Sequence, residues 1–347
     1  LFKQTKYRFF FLQLLAFLLA IIVCNYSGEF WEEKVRTVFY KIKGDSIPSF
    51  ATELVDLKGI PFVNYSTENN ITPGTHYNAT IVANYAIEYF DKYQQQKEIA
   101  YLQKFNNCIR WLKDSVAIKD NKALYYFNWR QAWYPLVKGK FSSGISSGRA
   151  IEALLLAYQH LNDSSALLLA NQLMRGYYLP IQYGGFTYQE KNGWWYEEIA
   201  DSSLQTPRIL DGHIYAILGA QKLWDLTKQD SAKLLVDKGL QALKSQLAFY
   251  DAGNEIIYYD IYKKQADKKY QHILVYQMNE LWQITGDTTF KDYYDKWSKP
   301  LNKPYVVRII HEKNRSGLIS FLLLFMSLLL LLFFCNRFIY KLKTQVH

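Results

Sequence analysis

The sequence predicts an all-α dominated protein: helical hairpins stacked as a solenoid or an (α/α) toroid, with short β-hairpin insertions, flanked by two transmembrane helices. Three observations lead there. Two long apolar runs enclose the middle of the 347 residues. Between them, apolar residues recur at helical spacing in segments that come in pairs. The stretches separating the pairs show alternation and Gly- or Asn-bearing turns, as short hairpins do.

Taken in order, residues 1–8 carry Lys3, Lys6 and Arg8 with no acidic residue, which places them in the cytoplasm. Residues 9–24 are uncharged and no small-residue cleavage pattern follows, so they read as an uncleaved signal-anchor. Residues 25–75 contain Gly44, Pro48, Gly59, Pro61, Pro73 and Gly74 and read as a connector with short strands. Residues 76–303 form the main domain, with helix pairs expected at 79–93 and 97–117, 146–161 and 164–175, 208–226 and 231–247, and 270–284 and 288–297. Ala150, Ala153, Leu154, Ala157, Tyr158 and Leu161 mark one buried face, and Asp163 suits an N-cap. A hairpin around Asn192-Gly193 separates the second and third pairs, and an insertion over 250–259 separates the third and fourth. Residues 304–316 are a basic juxtamembrane linker. Residues 317–335 are uncharged and Leu-rich, long enough to cross a hydrocarbon core of about 30 Å. The tail 336–347 carries Arg337, Lys341 and Lys343 and is expected back in the cytoplasm, in a two-pass protein whose main domain faces the periplasm, lumen or exterior.

The chain has 41 basic and 31 acidic residues, a net charge of +10, and most of the excess lies in the segments flanking the apolar runs. The main domain is nearly neutral, so the charge points to a lipid bilayer and not to nucleic acid. Of the three cysteines, Cys24 and Cys335 fall in the apolar runs and Cys108 stands alone in the domain. No disulfide framework and no zinc-spaced Cys/His set follows, and neither metal nor cofactor is expected.

The chemistry-bearing stretch is Gly193-Trp194-Trp195-Tyr196-Glu197-Glu198, followed by Asp211-Gly212-His213-Ile214-Tyr215. Aromatic faces stack on pyranose rings and carboxylates or phenols move protons, so together they suit a sugar cleft. The same aromatics serve equally as core, His213 as a satisfied core histidine, and Trp129, Trp133 and Trp194 as either stacking platforms or helical core. With 29 tyrosines in the chain, no single phenol is a candidate on type alone.

Over most of residues 76–300 the chain resembles the C-terminal domain of the D-glucuronyl C5-epimerase family. The matching pieces occur in one order: His76-Tyr77-Asn78-Ala79-Thr80-Ile81-Val82-Ala83-Asn84-Tyr85-Ala86, Gly144-Ile145-Ser146-Ser147-Gly148-Arg149-Ala150-Ile151, Trp195-Tyr196-Glu197-Glu198, Asp211-Gly212 with Tyr215, Tyr250-Asp251 with Gly253 and Ile257-Tyr258, and Tyr270 leading to Gln277. The resemblance implies an incomplete (α/α) toroid. It also implies inversion at C5 of a glucuronate unit within a polysaccharide, giving iduronate. The C5 proton is α to a carboxylate, so its removal leaves an enolate-like dianion that the site must stabilise before a proton returns to the other face.

By that resemblance, the acid/base tyrosine of the Ile-Tyr pair falls on Tyr258, with Tyr259 as a one-residue alternative. A later tyrosine falls on Tyr270 and the functional glutamate on Glu198. Where the family carries a tyrosine after its two glutamates, this chain has Ile199. Tyr196 or Glu198 then takes over that role, or the activity differs. The candidate catalytic set is Glu198, Tyr258, Tyr270 and Tyr196. Arg149, Trp194, Trp195, Glu197, Tyr259 and His213 are candidates for substrate binding, with Arg149 suited to grip a uronate carboxylate. The family's Arg-His pair is not reproduced, and Lys263, Lys264, Lys268 or Lys269 would supply positive charge. The expected partners are a uronate-containing polysaccharide and, for a chain tethered at both ends, a membrane glycan synthase or exporter. A uronate polysaccharide lyase and a non-catalytic glycan-binding or assembly subunit are the competing readings.

Overall fold

The computed structural model of the chain describes residues 2–43, 52–137, 139–202, 206–253, 256–311 and 313–345. In chain order, helix α1 (Phe2–Lys43) precedes strands β1 (Thr52–Val55), β2 (Pro61–Asn64) and β3 (Thr75–His76). Helices α2 (Ala79–Gln96) and α3 (Ile99–Asp114) follow, then strands β4 (Ala117–Lys119), β5 (Lys122–Leu124), β6 (Tyr126–Asn128) and β7 (Lys140–Ser142). Next come α4 (Gly144–Leu161), α5 (Ser164–Gly176), the hairpin β8 (Thr187–Glu190) and β9 (Gly193–Tyr196), α6 (Leu210–Thr227) and α7 (Asp230–Tyr250). Strands β10 (Asp251–Gly253) and β11 (Ile256–Ile257) lead to α8 (Lys268–Thr285), α9 (Thr288–Ser298), α10 (Tyr305–His311) and α11 (Arg315–Gln345).

The chain divides into two compact units: Pro48–Ser298, and Leu1–Ile47 with Lys299–His347. In the larger unit all four expected helix pairs form, and local signals set their ends. Asn78 caps α2 by accepting the Thr80 N–H at 2.9 Å, and Asp267 caps α8 by accepting the Tyr270 N–H at 3.0 Å. Asp163 caps α5, and Asn162 and Gly286 end α4 and α8 in the left-handed conformation.

Helices α2, α4, α6 and α8 pack side by side in that order, and α3, α5, α7 and α9 each pack back on the helix before them. This is the layering of an incomplete (α/α) toroid: an open row of four hairpins with first helices inside and second helices behind. Each second helix reverses the chain, so the first helices run parallel and their N-termini gather at one end, where the β insertions also lie. The tightest crossing is between α4 and α6. A Cβ on Gly219 would stand 2.4 Å from Gly148 Cα, so only glycine permits the approach.

The hairpin expected at Asn192-Gly193 is β8–β9, with Glu190 opposite Gly193 and Thr187 opposite Tyr196. The insertion over 250–259 contains β10–β11. Two further hairpins, β4–β5 and β6–β7, lie between the first and second helix pairs, where no element was expected beyond the end of the helix at 117. In the first, Asp120 and Asn121 adopt positive φ (50° and 59°) and turn the chain, which shortens α3 to Asp114.

The supposed connector 25–75 is corrected at both ends. Residues 25–43 continue α1, where Arg36 pairs with Glu32 one turn away at 3.0 Å and no proline interrupts the helix. Strands β1–β3 belong to the larger unit as a three-stranded sheet. In the smaller unit, Ala20 and Cys24 of α1 pack with Tyr305 and Ile309 of α10 and Phe321 of α11. Residues Tyr7–Phe39 and Arg315–Phe338 are long and apolar enough to cross a membrane, and the expected spans lie within them.

Candidate active site

Where β9 runs toward α6, the two adjacent glutamates diverge. Glu197 turns into the core and is 0% exposed: its N–H donates to Phe186 O at 2.7 Å, and its Oε2 accepts the Arg208 N–H at 3.1 Å. Burial pushes its carboxyl up to about 8. Glu198 stays partly exposed and lies across the first turn of α6. A Cβ on Gly212 would stand 2.5 Å from Glu198 Oε2, so the glycine makes the room the carboxyl occupies.

Beside it is Asp211, in the first turn of α6 and 3% exposed. Burial holds both Glu198 and Asp211 above the usual carboxylate range, and the charge of Asp211 raises Glu198 further. Asp211 is moderated by backbone N–H groups and by the nearby Tyr259 phenol. Tyr259 is 5% exposed, and its ring centroid is 4.5 Å from that of Tyr270. Gln277 donates to Asp211 O at 2.9 Å. Among the described residues, Glu198 Oε2, Asp211 Oδ1 and Gln277 Oε1 are buried without a hydrogen-bond partner. Three unpaired acceptors around one acid pair are costly unless a ligand supplies donors or one acid keeps its proton.

Two phenols from distant parts of the chain complete the surroundings. Tyr134, in the loop between β6 and β7, donates to Asp260 Oδ2 at 2.8 Å. The same carboxylate accepts the Tyr262 and Lys264 N–H groups. Tyr65, which follows β2, accepts from Asn78 Nδ2 at 2.7 Å and packs near Trp129, with ring centroids 5.5 Å apart. Both phenols lie within electrostatic reach of Glu198.

Of the residues singled out from sequence, Glu198, Tyr259 and Tyr270 are brought together. Tyr258 is not. Successive side chains of the extended segment after β11 point oppositely, and Tyr258 turns toward Phe249 and Lys263, whose Nζ is 5.9 Å from its ring centroid. Of the two, Tyr259, expected both as the one-residue alternative to Tyr258 and as a substrate-binding candidate, is the tyrosine beside Asp211 and Tyr270.

Tyr196, expected to be catalytic, is a core residue. It is 0% exposed and its hydroxyl donates to Leu235 O at 2.7 Å. Trp195 is also buried, stacked 3.9 Å from His213. His213 Nδ1 accepts the Tyr196 N–H at 3.0 Å, which leaves the ring proton on Nε2 facing Gly239 O at 3.2 Å. Burial pushes its imidazole down to about 3, so it is a neutral tie between β9, α6 and α7. Trp194 packs against Tyr178.

Arg149 is committed elsewhere. Its Nε donates to Asn84 Oδ1 at 2.6 Å, it pairs with Glu152, and its guanidinium lies 4.9 Å from the Tyr215 ring. Lys222 joins Glu152 at 3.0 Å, so the inner helices share a charge network in place of a free arginine. Of the four lysines, Lys269 is the one whose charge acts on Asp211, while Lys264 sits 3.1 Å over the Trp133 ring.

Sequence reasoning missed Asp211, Tyr134, Asp260 and Tyr65 as site residues. Asp211 had a signal, since an acid followed by Gly at a helix start leaves space for a second acid. Tyr65 had none, because its segment read as a connector.

The family described as D-glucuronyl C5-epimerase C-terminus matches residues 119–299. An uncharacterized protein of Methanocaldococcus jannaschii is 31% identical over 186 residues, covering 51% of this chain and 59% of that protein. A D-glucuronyl C5-epimerase of Caenorhabditis elegans is 25% identical over 175 residues, covering 45% of this chain and 28% of the nematode protein. The matches thus span 59% or less of these relatives. Among solved structures, an alpha-1,6-mannanase from Salegentibacter sp. HEL1_6 is similar with a TM-score of 0.47 and 14% identity, covering 80% of this chain and 70% of that one. A sugar epimerase from a ruminal bacterium is similar with a TM-score of 0.44 and 13% identity, covering 72% and 74%.

Proposed function

Because the chain belongs to the family of the D-glucuronyl C5-epimerase C-terminus, matched over residues 119–299, we propose that it is a membrane-tethered uronyl C5-epimerase acting on a polysaccharide. The observation that carries this reading is the Glu198–Asp211 acid pair, with two unpartnered buried oxygens, beside the packed Tyr259 and Tyr270 phenols. A uronate C5 proton is removed only if the resulting enolate-like charge is stabilised. Glu198, which burial and the neighbouring Asp211 push toward its protonated form, donates a hydrogen bond to a substrate carboxylate oxygen and takes the part that a cation would otherwise play. Tyr259 removes the C5 proton while passing its own to the Asp211 carboxylate, so no free phenolate has to accumulate. Tyr270, packed against Tyr259, is placed to share the charge that develops there.

The test is incubation of the full chain with a glucuronate-containing polysaccharide in D2O. The expected result is deuterium at C5 with iduronate formed and the polymer length unchanged. Unsaturated, shortened products would instead identify a lyase. Saturable binding without exchange would identify a glycan-binding subunit.

A further inference from the structure

Inversion requires a second proton donor on the other face of the ring, and one phenol near Glu198 is oriented for that task. Asn78 is the N-cap of α2, and its Oδ1 is held by the Thr80 N–H at 2.9 Å. That bond fixes the amide orientation, so Nδ2 must face Tyr65, whose oxygen accepts it at 2.7 Å. Tyr65 is thereby an acceptor toward Asn78, and its own proton is directed elsewhere. Other buried phenols of the domain differ. Tyr125, Tyr134, Tyr177, Tyr196 and Tyr250 donate to Leu112 O, Asp260 Oδ2, Ala216 O, Leu235 O and Arg208 O respectively.

Tyr65 lies within electrostatic reach of Glu198, whose Oε2 is buried and unpartnered. The two sets of phenols come from opposite ends of the inner row: Tyr65 is tied to the N-cap of α2, and Tyr259 packs on Tyr270 in the first turn of α8. Residues 52–78 also precede the family-matched stretch, so this donor is supplied by a segment outside it.

We propose that Tyr65 is a catalytic acid, returning a proton to C5 from the side opposite Tyr259, with Asn78 as its positioning residue. The inference rests on the epimerase reading above. In the step, the Tyr65 O–H bond breaks and a C5–H bond forms from the enolate-like electron pair. The resulting phenolate is stabilised by the Asn78 N–H. Tyr65 then takes a proton from water as Asp211 releases the one it gained from Tyr259, and the balance is closed.

The test compares the wild type with Tyr65→Phe and Asn78→Asp on the glucuronate polymer in D2O, reading iduronate formation and C5 deuterium in unreacted glucuronate separately. Tyr65→Phe keeps the ring, and Asn78→Asp keeps a helix cap while turning the Tyr65 proton back toward the new carboxylate. Both are expected to lower iduronate formation by about a hundredfold or more while deuterium wash-in at glucuronate C5 persists. Loss of both readouts together, or of neither, overturns the assignment of Tyr65 and leaves the epimerase reading standing. Absence of any exchange in the wild type overturns that reading and this inference with it.

Discussion

One position decides which of two adjacent tyrosines lies beside the acid pair. Tyr258 and Tyr259 are adjacent and chemically identical, yet Tyr259 faces Asp211 and Tyr270 whereas Tyr258 faces Phe249 and Lys263. Tyr259→Phe is therefore expected to lower C5 exchange by about a hundredfold or more, and Tyr258→Phe to leave it within about twofold. Measuring both in the same D2O assay checks the assignment, and equal losses would reverse it. The two glutamates divide in the same way. Glu197 is a fully buried acid whose Oε2 accepts the Arg208 N–H, whereas Glu198 is partly exposed and lies beside Asp211.

Helix α6 shows how an element builds a site. Its first turn contributes Asp211, and the missing side chain at Gly212 gives Glu198 its place against the backbone. Gly212→Ala would put a Cβ 2.5 Å from Glu198 Oε2 and 2.7 Å from its Cβ, so the carboxyl must move. We expect C5 exchange to fall at least tenfold and stability to drop by about 1–3 kcal/mol from overpacking. Exchange kinetics and thermal unfolding read the two effects separately, and full activity in this variant would show that Glu198 does not depend on that contact. The helix pairs themselves were legible from sequence, because apolar period and caps are local properties. The hairpins β4–β5 and β6–β7 were not, since three-residue strands leave little pattern and the first continues what looks like a helix.

At the scale of the whole molecule, buried acids and a buried histidine set the pH range of stability. Glu197 is pushed from 4.5 up to about 8, so its stabilising proton is fully held below about 4.5 and lost as pH rises toward 8. His213 is pushed from 6.5 down to about 3, so its contribution is complete above 6.5 and lost as pH falls toward 3. Each group changes stability by at most about 1.4 kcal/mol per pH unit within its window. The unfolding midpoint of the full chain in detergent is expected to fall between pH 6.5 and 8, and Glu197→Gln should make that fall shallower while leaving the pH dependence below about 4.5 unchanged. An unaltered slope would mean that Glu197 is already ionised in the fold.

The sequence by itself determined the helix pairs, the central hairpin, the two apolar spans and the family resemblance. Each depends on composition or period within a short window, where residue order and backbone geometry are directly linked. Only the tertiary structure decided that Tyr259 and not Tyr258 enters the site, that Tyr196, Trp195 and His213 are core, and that Arg149 is bound to Asn84 and Glu152. It also brought Tyr65 and Tyr134 toward Glu198 from more than sixty residues away in the chain. Such meetings depend on how the parallel row of helices gathers its N-termini at one end, and no local pattern encodes which distant side chains then face one another.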